Sequence, residues 1–217
     1  MRDRVDPEVR AKAHPATNPT AARFKYFWLL EFGDDLVFAH LSGIQPTSPP
    51  ALPSAPCWWV PFPAHPVPDS VAPMCLGAGP EGWLVVDLAL APGTISISGH
   101  PHARRRLAAA LVDRLCSLTA EGAENLAVVV TGALLPTLSA KPISAPSARE
   151  FDPAVLPTTA EICFVFCSTA AAADTGWFGG PTLAGDRSVR IVPVVVGNAV
   201  DAQWSFVAFP SSHRIRG

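Results

Sequence analysis

The chain has 217 residues, of which 49% are hydrophobic and 16% charged, with a formal net charge of −2 and a pI of about 6.3. That length holds one α/β domain with an appendage or two small domains, and the composition excludes a disordered chain. The charge balance argues against wholesale nucleic-acid binding and leaves room only for a local basic patch.

The five cysteines, Cys57, Cys75, Cys116, Cys163 and Cys167, are odd in number and form no CxxC pair. They read as buried free thiols rather than as a disulfide or metal framework. Residues 1–10 are polar, unlike a secretory leader, and the longest apolar runs fall well short of the ~20 residues of a spanning helix. The expected location is cytoplasmic, without membrane insertion.

In chain order, residues 1–22 are charged and then Pro/Thr/Asn/Ala-rich, and are expected to form a flexible N-terminus. Residues 24–41 place two apolar, aromatic-rich segments on either side of Gly33-Asp34-Asp35, which favours a β-hairpin, with a helix over Phe24–Glu31 as the alternative. Residues 45–73 carry Pro49, Pro50, Pro61, Pro63, Pro66 and Pro68, so an extended connector is expected there. The hairpin and connector together make up residues 23–74. Trp58, Trp59 and Phe62 interrupt the prolines. They read either as a strap across an apolar surface or as an aromatic docking site for a partner protein.

Residues 82–118 carry the clearest local pattern. Residues 82–88 and 94–98 are strand-like around Ala91-Pro92-Gly93, a turn sequence. A glycine turn at Gly99 then leads into a helix. Pro101 suits its first turn; Leu107, Leu111, Leu115 and Leu118 form one apolar stripe; Gly122 suits its end. Further strands are predicted over residues 125–131, 161–168, 189–196 and 203–209. Pro193 marks an edge or bulge, and a tight turn at Gly197-Asn198 would make the last strand antiparallel to its neighbour. The expected architecture for residues 75–217 is a three-layer α/β domain with a mainly parallel sheet and helices on both faces.

A strand running through glycine into a helix is where α/β proteins hold phosphate. A working phosphate loop, GxxxxGK[ST], wraps phosphate in backbone amides, neutralises charge with lysine and holds Mg²⁺ with its hydroxyl. The matching text is Gly99-His100-Pro101-His102-Ala103-Arg104-Arg105-Arg106. Arg104 replaces the second glycine, Pro101 deletes an amide donor, Arg105 keeps a charge at the lysine position, and Arg106 lacks the hydroxyl. Mg²⁺–ATP hydrolysis is therefore not expected. Gly99, His100, His102, Arg104 and Arg105 remain a candidate anion site for a weakly held phosphate or nucleotide, although a solvated basic first turn is the plainer reading. His100 and His102 have no evident further metal ligands, so no metal is expected, nor any other cofactor. Cys167 lacks a nucleophile signature, and Asp34, Asp35 and Asp87 read as turn and strand-end residues. No catalytic residue is assigned.

The text GWLVVDLALAPGTISISG, followed by an arginine-rich, leucine-striped helix, resembles the lead-in and phosphate loop of FtsK/SpoIIIE-type ATPases. It is more closely similar to the degenerate versions in actinobacterial proteins linked with type VII secretion or with large LysM/transcriptional-activator-type regulators. NLAVVVTG, EICFVFCS and RIVPVVVGNAVDAQWSF follow the same outline over residues 75–210. The resemblance places Gly99 at the loop start, Arg105 at the lysine position and Ser168 near the missing acid. It implies a P-loop-like fold without ATPase activity: a non-catalytic scaffold or regulatory subunit that binds another protein. The alternative is a nucleotide sensor or enzyme using the 99–105 loop.

Overall fold

The computed structural model describes residues 25–42, 57–60, 70–79, 82–132, 134, 138–168, 182–184, 187–199 and 202–210. The expected flexible N-terminus (1–22), Phe62 and most of the proline-rich connector lie outside the described residues.

The predicted hairpin forms β1 (Lys25–Phe32) and β2 (Asp35–Ser42), paired along their whole length around a turn in which Gly33 takes φ +57°. Within the connector, β3 (Cys57–Val60) is a short strand, and β4 (Pro73–Gly79) follows. The 74/75 division expected from sequence therefore falls inside β4. Then come β5 (Gly82–Asp87), a single 3₁₀ turn at Leu88–Leu90, and β6 (Ile95–Gly99), which runs into α1 (Pro101–Ala120). The remaining strands are β7 (Leu126–Thr131), β8 (Ile143–Ala145), β9 (Ile162–Ser168), β10 (Thr182–Ala184), β11 (Arg187–Val196) and β12 (Trp204–Pro210).

The twelve described strands join one sheet in the order β3-β5-β4-β1-β2-β12-β6-β11-β9-β7-β8, with β10 pairing β11 off this path. The sheet is mixed rather than mainly parallel. From β3 to β2 and on to β12 every pairing is antiparallel; from β12 through β6, β11, β9 and β7 to β8 every pairing is parallel. β5 and β6, the strands expected on either side of Ala91-Pro92-Gly93, both form, but a 3₁₀ turn separates them and they take different partners.

The last strand also departs from expectation. β12 lies parallel to β11, with β6 between them. A parallel connection ordinarily needs a dozen or more residues, yet residues 197–203 suffice. They do so because β11 ends level with Ile97 and β12 begins level with Ile95, so the chain scarcely has to climb back. The Ser96 hydroxyl donates to the Gly197 carbonyl at 2.8 Å beneath this crossing. Pro193 sits between β6 and β9 but costs no bond to β6, whose ladder with β11 begins only at Val194.

The leucine stripe is buried as predicted. Leu107, Leu111, Leu115 and Leu118, with Ala103, Ala108 and Val112, share one core with Leu30, Val37, Met74, Leu84, Ile97, Val128, Phe164, Val194 and Trp204. At about 4.8 Å per strand, a flat sheet of this width would far exceed what one helix about 10 Å across can cover. The helix packs chiefly on β12, β6, β7 and β11, the parallel side of the sheet, and the core extends from there toward β1, β2, β4 and β5. Helices on both faces are not found: α1 is the one α-helix among the described residues. The opposite face of the parallel block (Ala127, Val129, Cys163, Val165, Val189 and Ile191) packs instead against Phe151, Leu156 and Ala160. Pro146, Pro153 and Pro157 leave that covering segment with a single 3₁₀ turn at Pro153–Val155.

Candidate functional site

The expected anion site lies where β6 ends and α1 begins. Gly99 takes φ +96°, and a Cβ there would stand 2.2 Å from the Ala208 carbonyl oxygen. Glycine is required because β12 passes so close, and the His100 N–H donates to that same carbonyl at 2.9 Å. The residue that reads as a phosphate-loop glycine thus serves a strand contact. His100 caps α1 with extended backbone and no side-chain capping bond, and Pro101 occupies the first turn. Any helix leaves its first amides without intrahelical partners, and here Pro101 contributes none, so His102 and Ala103 supply them.

The His100 and His102 rings are exposed and stack with centroids 5.9 Å apart. Arg104 is half-buried, and its Nε is buried without a hydrogen-bond partner. Arg105 is exposed. The structure therefore places Gly99 at the end of β6, His100 at the helix cap, and His102, Arg104 and Arg105 within the first five residues of α1. Arg106, in contrast, is engaged: its Nε donates to Asp35 Oδ2 at 2.9 Å and its Nη2 to Asp35 Oδ1. This two-pronged contact ties the β1–β2 turn to α1, and Asp35 is 4% exposed.

A second polar cluster was not foreseen from sequence as a unit. The buried Asp87, at the end of β5, accepts the Val71 N–H at 3.0 Å and the Ala72 and Ala89 N–H groups at 2.9 Å each. Arg190 of β11 donates to the Ala89 carbonyl. Burial lowers the Arg190 pKa, and the Asp87 charge acts against that shift. Strand end, 3₁₀ turn and β11 are thereby pinned together. The sole sequence signal was an aspartate closing an apolar strand.

Each described thiol is held protonated. Burial pushes Cys163 and Cys167 up to about 12, and burial with the neighbouring Asp113 charge pushes Cys116 up to about 11. Cys75 is exposed on β4; burial raises its pKa and a hydrogen bond from the Gly77 backbone opposes the rise. A thiol held neutral is a poor nucleophile, so Cys167 gains no catalytic standing. Ser168 is exposed at the end of β9. No group of three or more His, Cys, Asp or Glu residues able to hold a metal occurs among the described residues.

Of the aromatic candidates, Trp58 and Trp59 lie in β3, in register with Val85 and Leu84 of β5. β3 ends the path of described strands. No described helix is long and apolar enough to cross a membrane. Comparison with protein-family models, curated proteins and solved structures finds no match for this chain.

Proposed function

We propose that the chain is a non-catalytic protein-binding scaffold or regulatory subunit whose contact surface centres on β3. One observation carries the reading: Trp58 and Trp59, the adjacent tryptophans of the connector, occupy the terminal strand of the sheet. Tryptophan is enriched where proteins meet, and a terminal strand offers main-chain groups for strand addition. The parallel block belongs to the same proposal as a degenerate P-loop-like, FtsK/SpoIIIE-type framework. β6 running through Gly99 into α1, with β11, β9 and β7 in parallel beside it, supports that part.

The test is affinity purification of tagged full-length chain under gentle conditions, alongside a Trp58→Lys variant of unchanged circular dichroism. A stoichiometric partner recovered with the parent and lost with the variant is expected. Equal recovery by both would overturn the assignment to β3.

A second reading rests on the unpartnered Arg104 Nε beside the first amides of α1: weak phosphate or nucleotide binding at Gly99, His100, His102, Arg104 and Arg105. A bound ligand must raise apparent stability. ATP, GTP and pyrophosphate at millimolar levels, with and without Mg²⁺, would shift the melting temperature if this reading holds, and leave it unmoved if it fails.

A further inference from the structure

Between α1 and β4 lies a cavity of about 190 Å³, lined by Phe32, Met74, Cys75, Ala110, Leu111 and Arg114. Its origin is local. β4 pairs with β1 at Glu31↔Ala78 and is bulged between Cys75 and Gly77, so Met74 and Cys75 run on past Phe32, where β1 ends. Facing them on α1 is Ala110, whose single methyl group is too short to fill the gap. Met74 and Leu111 are buried, whereas Cys75 and Arg114 are exposed and mark the side that opens to solvent.

A cavity of about 150 Å³ walled by Leu, Ile and Phe holds benzene, so this one accommodates about one ring or a chain of about six carbons. The thioether of Met74 adapts readily to an irregular guest. Arg114 is the only charged residue in the lining. It follows Ala110 by one helical turn and therefore lies on the same face of α1. Its Nη1 donates to the Glu121 carboxylate at 3.1 and 3.4 Å. Such an exposed pair adds little to stability, and a guanidinium fork has further donors for a second carboxylate.

We infer that this cavity binds a small apolar monocarboxylate, with its hydrocarbon against Phe32, Met74 and Leu111 and its carboxylate on Arg114. Charge and shape select together. An amine would meet like charge at Arg114, and a second carboxylate would be forced against the apolar wall without a partner. The site shares no residue with β3 or with the first turn of α1.

Cys75 supplies the readout. In full-length Cys57→Ser chain, alkylation of Cys75 by neutral iodoacetamide is followed by mass spectrometry against hexanoate, hexanol and acetate at millimolar levels. Hexanoate should slow the reaction saturably and raise the melting temperature. Hexanol, which lacks the charge, and acetate, which lacks the hydrocarbon, should each need about tenfold more for the same protection, the worth of one charge-assisted hydrogen bond. Arg114→Gln, with unchanged circular dichroism, should bring hexanoate down to the affinity of hexanol. Ala110→Leu should fill the cavity and abolish protection by both. Absence of saturable protection in the parent overturns the inference, as does protection that persists in Ala110→Leu. Equal protection by hexanoate and hexanol, or full protection in Arg114→Gln, overturns the assignment of a carboxylate.

Discussion

Replacing Asp87 tests how far one carboxylate holds the two halves of the sheet together. In Asp87→Ala, the Ala72 and Ala89 N–H groups lose a buried acceptor and the Val71 N–H a half-buried one. Each buried orphan costs about 1–3 kcal/mol. Two such groups, with a smaller share for Val71, give about 4 kcal/mol. In Asp87→Asn one oxygen remains to accept from Ala72 and Ala89, but the amide nitrogen turns a donor toward the Val71 N–H. The loss there is about 2 kcal/mol, the range for one bond to a charged group. Urea unfolding followed by tryptophan fluorescence measures both as shifts in midpoint at constant slope. Against a typical total stability of about 5–15 kcal/mol, the alanine variant is severely weakened. An alanine loss below about 1 kcal/mol, or an asparagine loss equal to the alanine loss, would refute the hydrogen-bond accounting. A double-mutant cycle with Arg190→Met, which removes the donor to the Ala89 carbonyl, should return a coupling of about 0.5–3 kcal/mol.

Gly99→Ala forces both a positive φ and a collision with the Ala208 carbonyl, whereas Gly122→Ala, at φ +114° with nothing within 4 Å, meets only the first problem. Thermal denaturation should show about 1–2 kcal/mol lost at Gly122 and clearly more at Gly99; equal losses would refute the close approach of β12. The buried thiols favour the folded state less as pH rises above their unfolded pKa. The unfolded chain releases its thiol protons near 9.0, while folded Cys163 and Cys167 hold theirs to about 12. Their contribution is therefore complete below about pH 9 and is lost as pH rises toward 12, by about 1.4 kcal/mol per pH unit for each thiol. Denaturant midpoints between pH 8 and 11 should fall less in Cys163→Ala/Cys167→Ala than in the parent, and parallel curves would count against this. In a Cys57→Ser background a thiol reagent should modify the exposed Cys75 first and reach Cys163 and Cys167 only on unfolding.

The elements legible in the sequence were those whose own residues specify them. Gly33 and the aromatic runs beside it gave the hairpin, and the leucine stripe gave α1. The apolar runs of β7, β9 and β11 gave three buried strands. β4 was not legible, because Pro73, Gly77 and Gly79 argue against a strand until β1 and β5 pair with it. β3 was hidden by the prolines on either side of it, Pro56 and Pro61. Neighbour order was illegible as well: Ala91-Pro92-Gly93 reads as a turn between two strands, which does not say that β5 and β6 take different partners. At the candidate site, the grouping of His100, His102, Arg104 and Arg105 could be read from spacing along one helical turn. The purpose of Gly99 could not, since it depends on Ala208. Nor could the engagement of Arg106, whose partner Asp35 lies 71 residues away.

The position of β12 has a consequence for biosynthesis. This strand, which follows every other described strand in chain order, is the one that joins β2 to β6. A nascent chain that has delivered everything before Trp204 holds two partial sheets, each with an interior strand exposed as an edge. Such edges invite pairing with other chains. Commitment to the native topology therefore waits for β12 to emerge, whose pairing with β2 on one side and β6 on the other closes both edges.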